Sequence, residues 1–207
     1  ELYFGQPRVP CTYLDSRDYV YGSEEKLKEA FTFLEEQAKF DFICIINSPG
    51  AALIGDDLRR VAASTLKHTP FMVMETPGYS KSAAEGHEMA AIATVAQLTE
   101  SVAAKKTRSA DSKPKVNILG LSLFHRYYEG DKAELERLLA CCDIEIGCML
   151  CAGSSMDEVK DIGNADLNLV IYPEYGAKTA EYLKCHADDR GGCRPVWSFS
   201  APSASGQ

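Results

Sequence analysis

The chain predicts an α/β fold of two Rossmann-like domains, each a parallel sheet flanked by helices. Three observations carry this reading. Short apolar runs rich in β-formers alternate with longer stretches of helical periodicity. The turns after those runs are built from Gly, Pro, Ser and Asn. A polar, charged stretch near residue 110 separates two rounds of the same pattern. Strands joined through helices pair in parallel, with helices on both faces of the sheet.

The first unit spans residues 1–105. Ser23 is an N-cap signal, and Leu27, Ala30, Phe31, Leu34 and Ala38 follow at helical spacing. Asp41 to Asn47 is a continuous apolar run, which reads as a strand buried on both faces. Ser48 to Ala52 reads as loop, and Asp56 as the cap of a helix with the stripe Leu58, Val61, Ala62 and Leu66. Pro70 to Glu75 is a second buried strand, followed by a loop holding Pro77-Gly78 and a long Ala-rich helix from about residue 83 to 100. Residues 106–114 are read as an interdomain linker.

The second unit spans 115–207. Its strands are expected at Lys115 to Leu121, Ile144 to Cys151, Leu167 to Tyr172 and Arg194 to Phe199. Its helices are expected at Asp131 to Ala140, Ser155 to Ile162 and Glu174 to Leu183.

Composition narrows the function classes. The chain has 207 residues, 45% hydrophobic and 25% charged, with a net charge of −8. An acidic chain lacks the basic footprint that nucleic-acid binding requires, so no nucleic-acid partner is expected. No apolar run is long enough to span a bilayer and no secretory signal opens the chain, so a cytoplasmic location is expected. Eight cysteines fit a reducing compartment, because a core of this size needs no disulfide staples. Cys44 lies inside an apolar run and is expected to be a buried, inert thiol. Cys148 and Cys151 form a CxxC, but they fall on an expected strand. Residues three apart there face opposite sides, so core cysteines are favoured over a metal knuckle.

Ligands in such folds sit beyond the C-terminal strand ends. Those ends are Ser48-Pro49-Gly50 and Thr76-Pro77-Gly78-Tyr79 in the first unit. In the second unit they are Ser122 to Gly130, Gly153-Ser154-Ser155 and Pro173-Glu174-Tyr175-Gly176. Glycine and proline let backbone approach a ligand closely, although ordinary turns use the same residues. His125 with Arg126 could bind an anion or carry a proton, against the plainer reading of a solvated loop with aromatics beneath it. His87 is expected at the surface of its helix.

A resemblance adds to this reading. Asp18-Tyr19-Val20-Tyr21-Gly22-Ser23 through Lys26-Leu27 resembles the D-x-V-(F/Y)-G-G-x-x-K-L stretch of nitrogenase component 1-type oxidoreductases. Leu53-Ile54-Gly55-Asp56-Asp57 resembles that family's L-I-G-D-D, and Thr76-Pro77-Gly78-Tyr79 with Ser82 its T-P-G-F-x-G-S. Ala165 to Val170 resembles its A-x-x-N-L-V, and the likeness runs in consistent order from about Cys11 to Leu183. The resemblance implies repeated Rossmann-like domains and paired homologous subunits holding an iron–sulfur cluster. It also implies an ATP-dependent iron–sulfur reductase that delivers low-potential electrons to a bound substrate or cofactor.

The same resemblance implies that this chain is the central fragment of a larger protomer, inactive alone and without a cluster of its own. Many members carry a ligating Cys where this chain has Pro49, which offers no donor atom. Serine oxygen at Ser48 is a poor substitute for thiolate, so Cys11 is the remaining metal-ligand candidate. The cofactor-site candidates are therefore Cys11, Ser48, Pro49, Gly50, Thr76, Pro77, Gly78 and Tyr79. Loss of the ligand keeps a second class open: a non-redox cofactor- or metallocluster-assembly scaffold, or a small-molecule-binding module of the same fold.

Overall fold

The computed structural model describes residues 2–3, 6–7, 10–37, 39–75, 81–99, 112–188 and 196–198. The chain divides into two compact units, Glu1–Ser80 and Lys81–Gln207.

In the first unit, β1 (Leu2–Tyr3) and β2 (Gln6–Pro7) form a small antiparallel pair. Helix α1 (Ser16–Tyr21) was not anticipated from the sequence. It is set by a capping box: the Asp15 side chain accepts the Arg17 and Asp18 N–H groups, and Asp18 accepts the Asp15 N–H. Lys26 pairs with Asp18 and fastens this turn to α2 (Glu24–Gln37). Strands β3 (Ile43–Ile46) and β4 (Phe71–Met74) pair in parallel, joined through α3 (Pro49–Ala52) and α4 (Leu58–Thr65). Leu27 and Phe31 of α2 meet Leu58, Val61 and Ala62 of α4 and Val73 of β4 in one core. The predicted helical stripes thus face the sheet, as amphipathic periodicity requires. Glu35 receives the N–H groups of Lys67, His68 and Thr69 at 2.9–3.2 Å, joining α2 to the turn before β4.

The strand expected over Asp41 to Asn47 is shorter and only half-buried. Ile43 and Ile45 face the helical core, whereas Cys44 and Ile46 point to the other face and are exposed. The period-2 alternation of a strand exposes the thiol that the continuous apolar run had placed inside. Cys44 is therefore exposed at the surface rather than enclosed in the core, although the protein packed around it still raises its pKa.

In the second unit, a parallel sheet runs in the order β6-β5-β7-β8. Its strands are β5 (Lys115–Leu119), β6 (Glu145–Met149), β7 (Leu167–Val170) and β8 (Val196–Ser198). They alternate with α6 (Tyr128–Cys141), α7 (Met156–Lys160) with a following 3-10 turn (Ile162–Asn164), and α8 (Pro173–Asp188). Val116, Ile118, Leu121, Met149 and Ala152 make the core under α6. On the other side of β5, Asn117 donates to Asn168 of β7 at 2.8 Å and to the Ile162 carbonyl at 2.9 Å. This buried amide pair pins the register of the two central strands.

Helix α5 (Ala83–Thr99) belongs to the second unit, not to a first unit ending at residue 105. Its buried stripe is Glu88, Ala91, Val95 and Leu98, and it packs along α8. The Glu88 carboxylate accepts the Lys178 backbone N–H at 2.7 Å. Residues 106–111 of the expected linker lie outside the described residues. Pro114 already belongs to the sheet, where its carbonyl accepts the Glu145 N–H at 2.8 Å.

Candidate functional site

The first unit carries its candidate site residues after the C-terminal end of β3. The stretch expected to be loop after β3 is the short helix α3. Ser48 caps it, its hydroxyl accepting the Ala51 N–H at 3.3 Å, and Pro49 takes the first helical position. Proline there sacrifices no backbone hydrogen bond, which explains why Ser-Pro-Gly folds as a helix start. Gly50 lies under Tyr19 of α1: a Cβ on it would fall 2.6 Å from the Tyr19 hydroxyl oxygen. A side chain at this position would need the exposed Tyr19 ring to swing aside.

The following turn divides two acidic roles. Asp56, expected to cap α4, instead accepts both the backbone N–H and the hydroxyl of Ser23, at 2.7 and 2.6 Å. Asp57 caps α4 by accepting the Arg60 N–H at 2.9 Å. Gly55 precedes them with φ +79°, a backbone that disfavours side-chain-bearing residues and turns the chain toward Ser23. The two stretches that carry the resemblance, at 18–27 and 53–57, are thus bonded to each other.

Between these elements lies a cleft of about 770 Å³, whose lining includes Asn47, Gly55, Asp56, Asp57, Arg59 and Glu75. The Asn47 side-chain carbonyl oxygen is buried there and has no hydrogen-bond partner among the described residues.

The sequence candidates assemble only in part. Ser48, Pro49 and Gly50 stand together at the start of α3, and Cys11 is exposed in the segment ahead of α1. Thr76, Pro77, Gly78 and Tyr79 lie outside the described residues. Among the described residues, no group of three or more His, Cys, Asp or Glu side chains is placed to hold a metal ion. An iron–sulfur cluster takes soft thiolates. Pro49 has no ligating side-chain atom, and the Ser48 hydroxyl is committed to its cap, so the described residues do not by themselves form a cluster site.

The second unit gathers aromatic and imidazole rings at its own strand ends. His125, in the loop after β5, stacks on Tyr172 with centroids 4.2 Å apart. Its Nδ1 accepts the Ser122 N–H at 3.0 Å. Tyr175, in the first turn of α8, meets His125 edge-on at 5.0 Å and His87 of α5 at 5.4 Å. His87 is therefore not a surface residue. The packing of α5 on α8 turns it inward, a non-local contact that helical periodicity does not encode.

The CxxC also departs from expectation. β6 ends at Met149, whose N–H donates to the Ser154 hydroxyl at 2.8 Å, and Cys151 lies in a turn with φ +64°. Cys148 is buried on the strand, and burial pushes both thiols up to about 11. Neither is a ready thiolate at neutral pH.

This succession of helix-linked parallel strands, with the Leu53–Asp57 turn tied back to Ser23, belongs to the nitrogenase component 1 type oxidoreductase family, whose sequence profile matches residues 4–187. The chain is similar to one component of the light-independent protochlorophyllide reductase of Prochlorococcus marinus. The two are 29% identical over 190 residues, 86% of this chain and 35% of that relative. Against the same component from Methylobacterium radiotolerans the identity is 28% over 179 residues, 86% of this chain and 34% of the relative. Among solved structures it is similar to nitrogenase Cp1 at pH 5, with TM-score 0.68 and 27% identity over 84% of this chain and 34% of that one. The chain spans about a third of the length of the curated relatives it matches. Among the described residues, no helix is long and apolar enough to cross a membrane.

Proposed function

We propose that the chain is part of a component 1-type protomer that reduces a conjugated, protochlorophyllide-like substrate. Its electrons come at low potential from an ATP-dependent iron–sulfur reductase. The observation that carries this reading is the family match over residues 4–187, together with the likeness to light-independent protochlorophyllide reductases across 86% of the chain. Cys11 is the proposed thiolate of this chain, exposed beside the α1 segment. The start of α3, with Ser48, Pro49 and Gly50 under Tyr19, is the proposed backbone surface against a cluster. The Thr76–Tyr79 stretch is proposed to complete it. A homologous component 1 partner supplies the remaining thiolates, because the described residues hold no convergent set.

The test is anaerobic turnover by the encoded protein, co-purified with its component 1 partner. With ATP, the iron–sulfur reductase and protochlorophyllide, the reading expects loss of the substrate's absorption that requires all three proteins. A well-folded complex that binds the pigment without reducing it favours the scaffold or binding-module reading. Pro49, with no donor atom at the position many members give to cysteine, is the observation that supports that second reading.

A further inference from the structure

His87 places an imidazole in an aromatic enclosure, with the Tyr175 backbone beside it and no partner at full hydrogen-bonding geometry. Both ring nitrogens are closed off from solvent and lack a hydrogen-bond partner among the described residues. The ring is walled by Tyr175 at 5.4 Å and 85° and by Phe124 at 6.1 Å and 69°. On the other side of Tyr175 stands His125. The His125 Nδ1 accepts the Ser122 N–H, so its neutral form carries the proton on Nε2, and a second proton on Nδ1 breaks that bond. The enclosure of His87 thus favours its neutral form.

The charged groups around the two rings are committed elsewhere. On α5, Glu85 accepts the Ser82 N–H and hydroxyl and pairs with Lys178 at 3.6 Å. Glu88 accepts the Lys178 N–H and stands 4.0 Å from its ammonium. On α8, Lys178 is taken by those two carboxylates, and Glu174 is exposed. From the β5–α6 loop, Arg126 lies over the Tyr127 ring at 5.4 Å, and Asp131 beyond it accepts the Tyr172 hydroxyl at 3.4 Å. On α7, which also packs on α5, Asp157 pairs with Lys160 and Glu158 closes a capping box with Ser155. Burial, and then the neighbouring His125, hold the His87 pKa below its ordinary value, against a smaller opposing pull from the Tyr175 backbone.

We propose that His87, packed through Tyr175 onto His125, forms an acid-sensitive latch on the second unit. While His87 is neutral it packs the first turns of α5 against the β5–α6 loop and the start of α8. A proton on its enclosed ring releases that packing. The sign follows from linkage: a histidine whose folded pKa is depressed contributes fully above its unfolded value, about 6.5. That contribution is lost as pH falls below the unfolded value toward the lower folded one. The latch is a property of the second unit and does not depend on the redox reading.

Hydrogen–deuterium exchange of the whole chain at pH 7.5 and 5.0, corrected for intrinsic exchange, tests this. Peptides covering 83–91 and 121–128 are expected to lose protection several-fold at pH 5.0, while peptides covering 58–65 in the first unit hold theirs. His87→Phe, which fills the enclosure with an apolar ring, is expected to abolish the selective loss. Equal loss in both units, no loss, or a selective loss that survives His87→Phe overturns the latch. Should that variant fail to fold, ring-proton NMR of the unaltered chain decides. One histidine titrating below free histidine supports the latch, and all four histidines titrating at the free value overturns it.

Discussion

Asp56 ties down the start of α2 from 33 residues away, its carboxylate accepting both the backbone N–H and the hydroxyl of Ser23 just ahead of the helix. Asp56→Ala is expected to cost about 1–2 kcal/mol, read as a lower urea midpoint with an unchanged denaturant slope. Asp57→Ala removes only the local cap of α4 and is expected to cost about 1 kcal/mol or less at its exposed position. The described cysteines divide in the same residue-by-residue way. Cys11, Cys44, Cys141, Cys142 and Cys185 are exposed, whereas Cys148 and Cys151 are held up at about 11 by burial. Mass spectrometry of a timed maleimide reaction at pH 7.5 should show those five modified well before Cys148 and Cys151. Early labelling of Cys148 would contradict the burial.

At the level of elements, α2 and α4 are clasped outside their apolar contact by Arg60, whose guanidinium donates to both Glu24 oxygens at 3.2 and 2.6 Å. Arg60, with Lys28 after it, brings the Glu24 carboxyl from its ordinary value down to about 2. A carboxylate depressed on folding stabilises above its unfolded pKa and loses that contribution as pH falls, here between about 4.5 and 2. Glu24→Gln should therefore flatten the acid-unfolding curve in that window and leave the region above it nearly pH-independent. In the second unit, α8 meets β5 backbone to backbone. A Cβ on Gly176 would fall 2.7 Å from the Gly120 nitrogen, so Gly176→Ala is expected to destabilise by about 1–3 kcal/mol, seen as a lower melting temperature. Most elements were legible in the sequence because their periodicity is local. Leu58, Val61, Ala62 and Leu66 form the buried stripe of α4 and its end, as their spacing predicts. What periodicity missed is non-local or conformational: α1 rests on an Asp15–Asp18 box, Cys44 on which face of a two-stranded sheet is covered, and Cys151 on a left-handed turn.

For the whole molecule, the same division holds between fold and site. Alternating strands and helices give a Rossmann-like α/β chain, and the family match extends over residues 4–187. The candidate site is pointed to only by motif resemblance, since Ser48-Pro49-Gly50 reads as an ordinary turn, and what the structure adds is that Tyr19 stands over Gly50. The cluster question is posed by donor chemistry. Pro49 offers no donor atom, and the described residues hold no group of three metal-binding side chains, so a cluster would need thiolates from beyond them. The most direct measurement is anaerobic iron and acid-labile sulfide analysis, with absorption spectra, on the encoded protein co-purified with the proposed component 1 partner. The account predicts stoichiometric iron and sulfide with a thiolate-to-iron band that Cys11→Ala diminishes. A colourless, iron-free and well-folded complex would contradict it.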